Sequence, residues 1–315
     1  MPTPAGFRLV LSGLAVLAVS ACDMLTPAAL RPPPVVPVAP PDDQRSAQSQ
    51  QLASYYATVE RDLLTQGLLR IDGGGPDTPY TADMLARNFE TIAFFDEYDR
   101  AAPGQRRRAG TSGHLSRWEK PVRIGVEFGP SVAKADRQRD RDEVARYAAR
   151  LARVTGHPVS VASRSANFHV FVAGADDSGF VRERIQQLIP RISPTDLNIF
   201  TNPPRSFYCL VVAISDMDNP DVYTKAVALI RAEHPELVRR SCIHEEIAQG
   251  LGLPNDSPRA RPSIFNDDDE FALLTTHDER MLALLYDPRL KPGLTADEAR
   301  PVVRIIAREL MGQEL

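Results

Sequence analysis

The stretch Ser241-Cys-Ile-His-Glu-Glu-Ile-Ala-Gln-Gly-Leu-Gly-Leu-Pro-Asn-Asp256 limits the folds open to this chain more than any other. As an amphipathic helix it would put Ile243, Ile247, Leu251 and Leu253 in a core. Positions i and i+4 stack on a helix, so Glu245 and Gln249 point the same way, with Glu246 at the edge of their face. Gly252 can take the left-handed conformation that ends a helix, and Pro254 prevents resumption. The chain is then expected to fold back and carry Asn255 or Asp256 toward Glu245 and Gln249. Two readings stand: a polar cluster at a helix end, or an ordinary amphipathic helix with a solvated Glu-Glu-x-x-Gln face.

These residues resemble the metzincin signature H-E-x-x-H-x-x-G-x-x-H with its ligands exchanged. Glu245 stands at the first ligand, Glu246 at the general base, Gln249 at the second ligand, Gly252 at the turn and Asn255 at the third ligand. All three His ligands are missing. Downstream, Ser263-Ile-Phe-Asn266 stands where the family carries its Met-bearing turn, with Phe265 in the Met place. Leu274-Thr-Thr-His-Asp278, continuing to Leu284-Leu-Tyr286, is similar to the segment that follows that turn. The combination of Glu-Glu-x-x-Gln, Leu-Gly-Leu-Pro-Asn-Asp and Ser-Ile-Phe-Asn is also similar to a bacterial lipoprotein family of unknown function. The resemblance implies an α/β (α+β) zincin-like domain, a mixed sheet with packed helices, and no particular activity.

In a working zincin, imidazoles hold the metal and the Glu after the first ligand takes a proton from the bound water. Here Glu245, Gln249 and Asn255 offer only oxygen, which suits Ca²⁺, Mg²⁺ or Mn²⁺ better than Zn²⁺, and neutral amides are weak donors. No cofactor is therefore expected. The resemblance implies a domain that has lost zinc catalysis and binds a peptide or protein, along the edge strand near Cys209 as zincins hold substrates. The alternative is an active metal-dependent hydrolase with unusual ligands, Zn²⁺ or another divalent ion, and Glu246 as base; a third reading is a structural envelope protein with a vestigial cleft. His244 lies about 100° off the ligand register, and His277 fits no motif, so both are expected to be structural. The run Asn266-Asp-Asp-Asp-Glu270 lacks the ligand spacing of a calcium-binding hand and reads as a solvated acidic loop.

Residues 1–22 read as a targeting segment. Arg8 precedes the apolar run Leu9 to Val19, and Val19-Ser-Ala-Cys22 resembles a bacterial lipobox. That resemblance implies cleavage before Cys22 and lipid on its thiol; a plain secretory signal is the alternative. Asp23 favours retention at the inner membrane, on the periplasmic face of the bacterial cell envelope. Residues 23–51, with Pro32-Pro-Pro34 and Pro40-Pro41, form a Pro-rich tether. Once Cys22 goes to lipid, Cys209 and Cys242 remain as an even pair in an oxidising compartment, either disulfide-bonded or as two buried thiols. With 43% hydrophobic and 25% charged residues and a net charge of -4, the chain reads as globular with no nucleic-acid footprint. Arg106-Arg-Arg108, flanked by Pro103, Gly104 and Gly110, reads as a loop.

Three further regions follow. Residues 52–100 are expected to form a helical hairpin, with helices at 52–69 and, capped by Thr81, from 82 to about 98. Residues 101–117 read as a flexible loop. The zincin-like domain spans 118–315, with strands at 122–128, 159–163, 168–173 and 208–214. Its helices are expected at 140–155, at 180–188, from Pro220 to about Ala232, after Pro235 and at 296–311.

Overall fold

A computed structural model describes residues 45–95, 113–266 and 268–313. The leader with Cys22 and Asp23, the tether up to residue 44, and the loop bearing Arg106-Arg-Arg108 lie outside the described residues.

The chain has an α/β fold built on a mixed sheet. The strands are β1 (Arg117–Trp118), β2 (Val122–Phe128), β3 (Val159–Val161), β4 (Phe168–Ala173), β5 (Cys209–Ser215) and β6 (Val222–Arg231). The long strands lie in the order β3-β2-β4-β6-β5, and short β1 pairs with the start of β6. The pairs β2–β3, β2–β4 and β4–β6 are parallel, whereas β5 runs antiparallel to β6 and forms an edge.

Alternation along the strands separates two cores. Phe168, Val170 and Val172 of β4 and Ala226, Ala228 and Ile230 of β6 face one side. There they meet α3 (Lys134–Thr155) through Val144, Tyr147 and Leu151, and α6 (Glu236–Gly252) through Ile243, Ile247 and Leu251. Phe171, Ala173, Val227 and Leu229 face the other side, under α4 (Ser178–Leu188) and α5 (Pro194–Thr201). Each fully buried Val, Leu, Ile or Phe among these contributes about 1.5 to 3 kcal/mol, so the two-sided burial fixes the register of β4 and β6. Behind the first core lie α7 (Thr276–Leu285) and α8 (Ala296–Leu310).

Several sequence expectations need correction. The helix expected from Pro220 to Ala232 is strand β6. Pro220 and the alanines favour a helix start locally, but the segment is sandwiched between β4 and β5, where a strand buried on both faces reads as a continuous apolar run. Helix α3 starts at Lys134 rather than Asp140; its first turns are largely polar and solvated, so no apolar stripe marks them. Helix α5 matches none of the expected helices, although Ser193 caps it and Pro194 opens it.

The expected helical hairpin is also not formed. Helix α1 (Ala47–Thr65) begins inside the expected tether, capped by Ser46. It docks on the main domain, where Ser49 donates to Glu233 at 2.9 Å, Tyr56 to the Arg205 carbonyl at 2.8 Å, and the Val238 amide donates to Glu60 at 3.1 Å. Helix α2 (Ala82–Ala93), capped by Thr81 as expected, packs instead against α7 and α8.

Candidate functional site

Helix α6 lies in a groove that its glycines make possible. A Cβ on Gly250 would come within 2.5 Å of the Phe168 ring and 3.2 Å of Val211, so only a glycine lets the helix press on β4 and β5 here. At Gly252, φ is +129° and a Cβ would meet the Ser116 carbonyl at 2.4 Å, so this position is closed to other residues. The last turn keeps its carbonyls satisfied through side chains: Trp118 Nε1 donates to Gly250 O at 2.8 Å and Tyr286 OH to Leu251 O at 2.9 Å.

The disulfide forms as the first of the two alternatives. Cys209 and Cys242, 5.8 Å apart at Cα, tie the first residue of β5 to the second turn of α6. Val211 and Ala213 of the same strand face pack on that side of the sheet, so β5 and the motif helix form one unit.

The motif residues divide into those that converge and those that do not. Gln249 Nε2 donates to Asp256 Oδ1 at 3.1 Å, so the chain does fold back beyond Gly252. Glu245 is half-buried one turn before Gln249 on the same face, and neighbouring Glu246 is 4% exposed. Asn255 departs from the set. Its side chain donates to the Thr91 carbonyl at 2.9 Å and its backbone amide to the Ile92 carbonyl at 3.2 Å, at the end of α2. Phe265 is fully buried in the same core as Ile247 and Leu251, and its carbonyl accepts the Ser257 amide at 2.8 Å. The turn that carries Phe265 is therefore fastened to the chain just after Asp256.

Asp278 fastens that turn from below. Its carboxylate, fully buried, accepts from Ser263 Oγ at 2.6 Å, the Ile264 amide at 3.1 Å, and both the amide and hydroxyl of Thr275 at 2.9 and 2.8 Å. Together with the Asp278 amide on Thr275 Oγ1 this is the capping box of α7. Asp278 thus joins the Phe265 turn to a helix start.

Neither histidine is available as a ligand. His244 Nδ1 accepts the Leu274 amide at 3.1 Å, so its proton sits on Nε2, which donates to Glu143 Oε1 at 2.9 Å. Tyr147 stacks on the ring at 4.0 Å, and burial holds the imidazole below its usual range, hence neutral. The bond from His244, aided by Arg146, holds the Glu143 carboxyl at about 2. His277 is fully buried, with Asn88 Nδ2 at 3.2 Å from its Nε2 and the edge of Tyr80 against its ring.

The donors present do not fit zinc. Among the described residues no group of three or more His, Cys, Asp or Glu side chains stands close enough to hold a metal ion. The Gln249 and Asn255 NH2 groups donate to Asp256 and to the Thr91 carbonyl, and the latter bond ties Asn255 to α2. The acidic run is likewise less solvated than its charge suggests, since Asn266 is buried and Glu270 pairs with Arg261 and Arg70.

Sequence reasoning missed Gly250, although a glycine inside a helical pattern marks a close approach. It also missed Arg117. This buried guanidinium, at the foot of a shallow cleft of about 250 Å³ lined by Trp118, His157, Tyr286 and Lys291, donates to the carbonyls of Leu285 and Asp287 at the end of α7. A cation there complements the helix's C-terminal dipole, and no local sequence pattern announces it.

A family model described as "Protein of unknown function (DUF2927)" matches residues 82–305. No curated protein and no solved structure matches the chain.

Proposed function

This chain belongs to the DUF2927 family, whose description assigns no activity, and on that premise we propose a role from the geometry: a cell-envelope protein, held by lipid on Cys22, whose zincin-like domain has lost zinc catalysis and binds an extended protein segment by strand addition along β5. The lost catalysis is supported by one carboxylate and two amides in place of imidazoles and by His244 and His277 engaged in core bonds.

One observation carries the binding role. β5 is an edge strand of seven residues, Cys-Leu-Val-Val-Ala-Ile-Ser, without a charge or a proline. Among the described residues only β6 pairs with it. Natural sheets blunt such edges with lysine, proline or bulges, because unpaired N–H and C=O groups along an apolar strand template further pairing. The one irregularity here is the bulge at Ile214/Ser215, at the far end. The disulfide and the Gly250 contact hold the strand rigid, which lowers the entropy cost of adding a partner.

Hydrogen exchange tests the role. A library of extended apolar peptides is expected to yield binders that slow exchange at the β5 amides, and Val212→Lys, at a position 41% exposed, abolishes the binding. Glu246→Gln leaves the peptides as intact as the parent protein does. Protection that maps away from β5, or cleavage that depends on Glu246, refutes the proposal.

A further inference from the structure

β5 has its greatest apolar exposure at its middle and opposite charges at its two ends. Val212 is the centre of the span Cys209–Ser215 and the most exposed residue in it. The odd positions Cys209, Val211 and Ala213 pack toward α6, and Leu210 packs toward α4 and α5. Accessible apolar surface on the strand is thus greatest at its midpoint. Opposite charges stand at its two ends. Exposed Arg205 lies before the strand, its guanidinium 5.0 Å over the Tyr55 ring. Asp216 and exposed Asp218 lie after it, in a turn closed by the Asp218 amide on Asp216 Oδ1 at 2.9 Å. Among the described residues Arg205, Asp216 and Asp218 form no ion pair, and Met217 between the two acids is 92% exposed.

From this we infer that the segment β5 receives is β5 of a second copy of the chain, antiparallel about a two-fold axis that passes between the two Val212 residues. The inference rests on the reading of β5 as a strand-accepting edge and names its partner. An antiparallel arrangement brings the Arg205 end of each strand to the Asp216–Asp218 turn of the other. A parallel one sets Arg205 beside Arg205 and acid beside acid. A two-fold interface must be complementary to itself, residue i meeting j and j meeting i, and a strand with an apolar centre, one basic end and one acidic end meets that condition. The other edge offers no such template: β3 has three residues. Pairing joins two copies of the sheet into one that continues through both.

Directly opposed residues of antiparallel strands lie about 4.5 to 5.5 Å apart at Cα, within the span a disulfide bridges. Val212→Cys in the full chain, purified in mild detergent, is therefore expected to oxidise spontaneously to a covalent dimer. Ile305→Cys, equally exposed on α8, forms no covalent dimer under the same conditions. In sedimentation the parent protein runs as a dimer and Val212→Lys as a monomer. Arg205→Asp loses the dimer boundary, and adding Asp216→Arg and Asp218→Arg to it restores that boundary. A monomeric parent protein, a Val212→Cys variant that does not cross-link, or a charge swap that fails to rescue overturns the inference. A monomer that still protects its β5 amides with a peptide overturns it while leaving the binding role standing; loss of both removes the two together.

Discussion

Removing the link between β5 and α6 is the most direct test of how the edge strand is held. Cys209→Ala with Cys242→Ala opens it, alanine being preferable to serine because Cys242 is 2% exposed and a hydroxyl there risks going unsatisfied. The cross-linked residues are 33 apart in sequence. Closing a loop of that length removes about 12.5 cal/mol/K from the unfolded chain, so the bond contributes about 3.7 kcal/mol at 25 °C. Domains are stable by about 5 to 15 kcal/mol, so the variant still folds but with a visibly smaller margin. With a urea slope of about 2 to 3 kcal/mol/M, the midpoint falls by about 1.2 to 1.9 M. Trp118, the sole tryptophan and buried against Phe168, reports the transition by fluorescence. The loss should also be local before it is global. Hydrogen exchange is expected to speed up at the β5 amides well before those of β4, which has strands on both sides. A midpoint shift under about 0.4 M, or protection lost equally in β4 and β5, refutes the reasoning.

Two further outcomes follow from the buried polar groups. Asp278→Ala removes four accepted hydrogen bonds and the cap of α7; it is expected to cost about 2 to 4 kcal/mol and to free the Phe265 turn, measurable as a lower midpoint and faster exchange at the Ile264 amide. Acid should destabilise the fold in a defined window. Burial lowers His244 from 6.5, and the His244 bond lowers Glu143 from 4.5 to about 2, so in both cases the unfolded chain binds protons that the folded one refuses. Stability from this pair is fully present above about pH 6.5 and is lost as pH falls through 4.5 toward 2. His244→Gln should flatten the upper part of that profile, read as urea midpoints across pH.

Much of the helix end was legible because its signals are local. The apolar period of α6, the Gly252 stop, the fold-back that brings Asp256 to Gln249 and the Thr81 cap each depend on residues within a turn or two of one another. The cysteine count left a disulfide and two buried thiols both open, and the structure shows the disulfide. The fate of Asn255 did not follow, because its partner is a carbonyl on α2, far away in sequence. The downstream segment singled out Asp278 by spacing alone; its work as the joint between the Phe265 turn and α7 emerges only when four donors converge on it.

What the residues by themselves determined is therefore a helix with a polar turn, an α/β alternation and a strand with a cysteine near its start. Only the tertiary structure decided that 222–231 is a strand, and the edge near Cys209, which only the resemblance implied, shows in β6 being the one strand paired with β5 among the described residues. The reason is physical: Val222 to Ile230 satisfies helix and strand preferences comparably in isolation, and the balance is tipped by backbone hydrogen bonds to β4 and β5 and by burial on both faces. Being at an edge, likewise, is a property of a strand's neighbours, which no stretch of its own residues encodes.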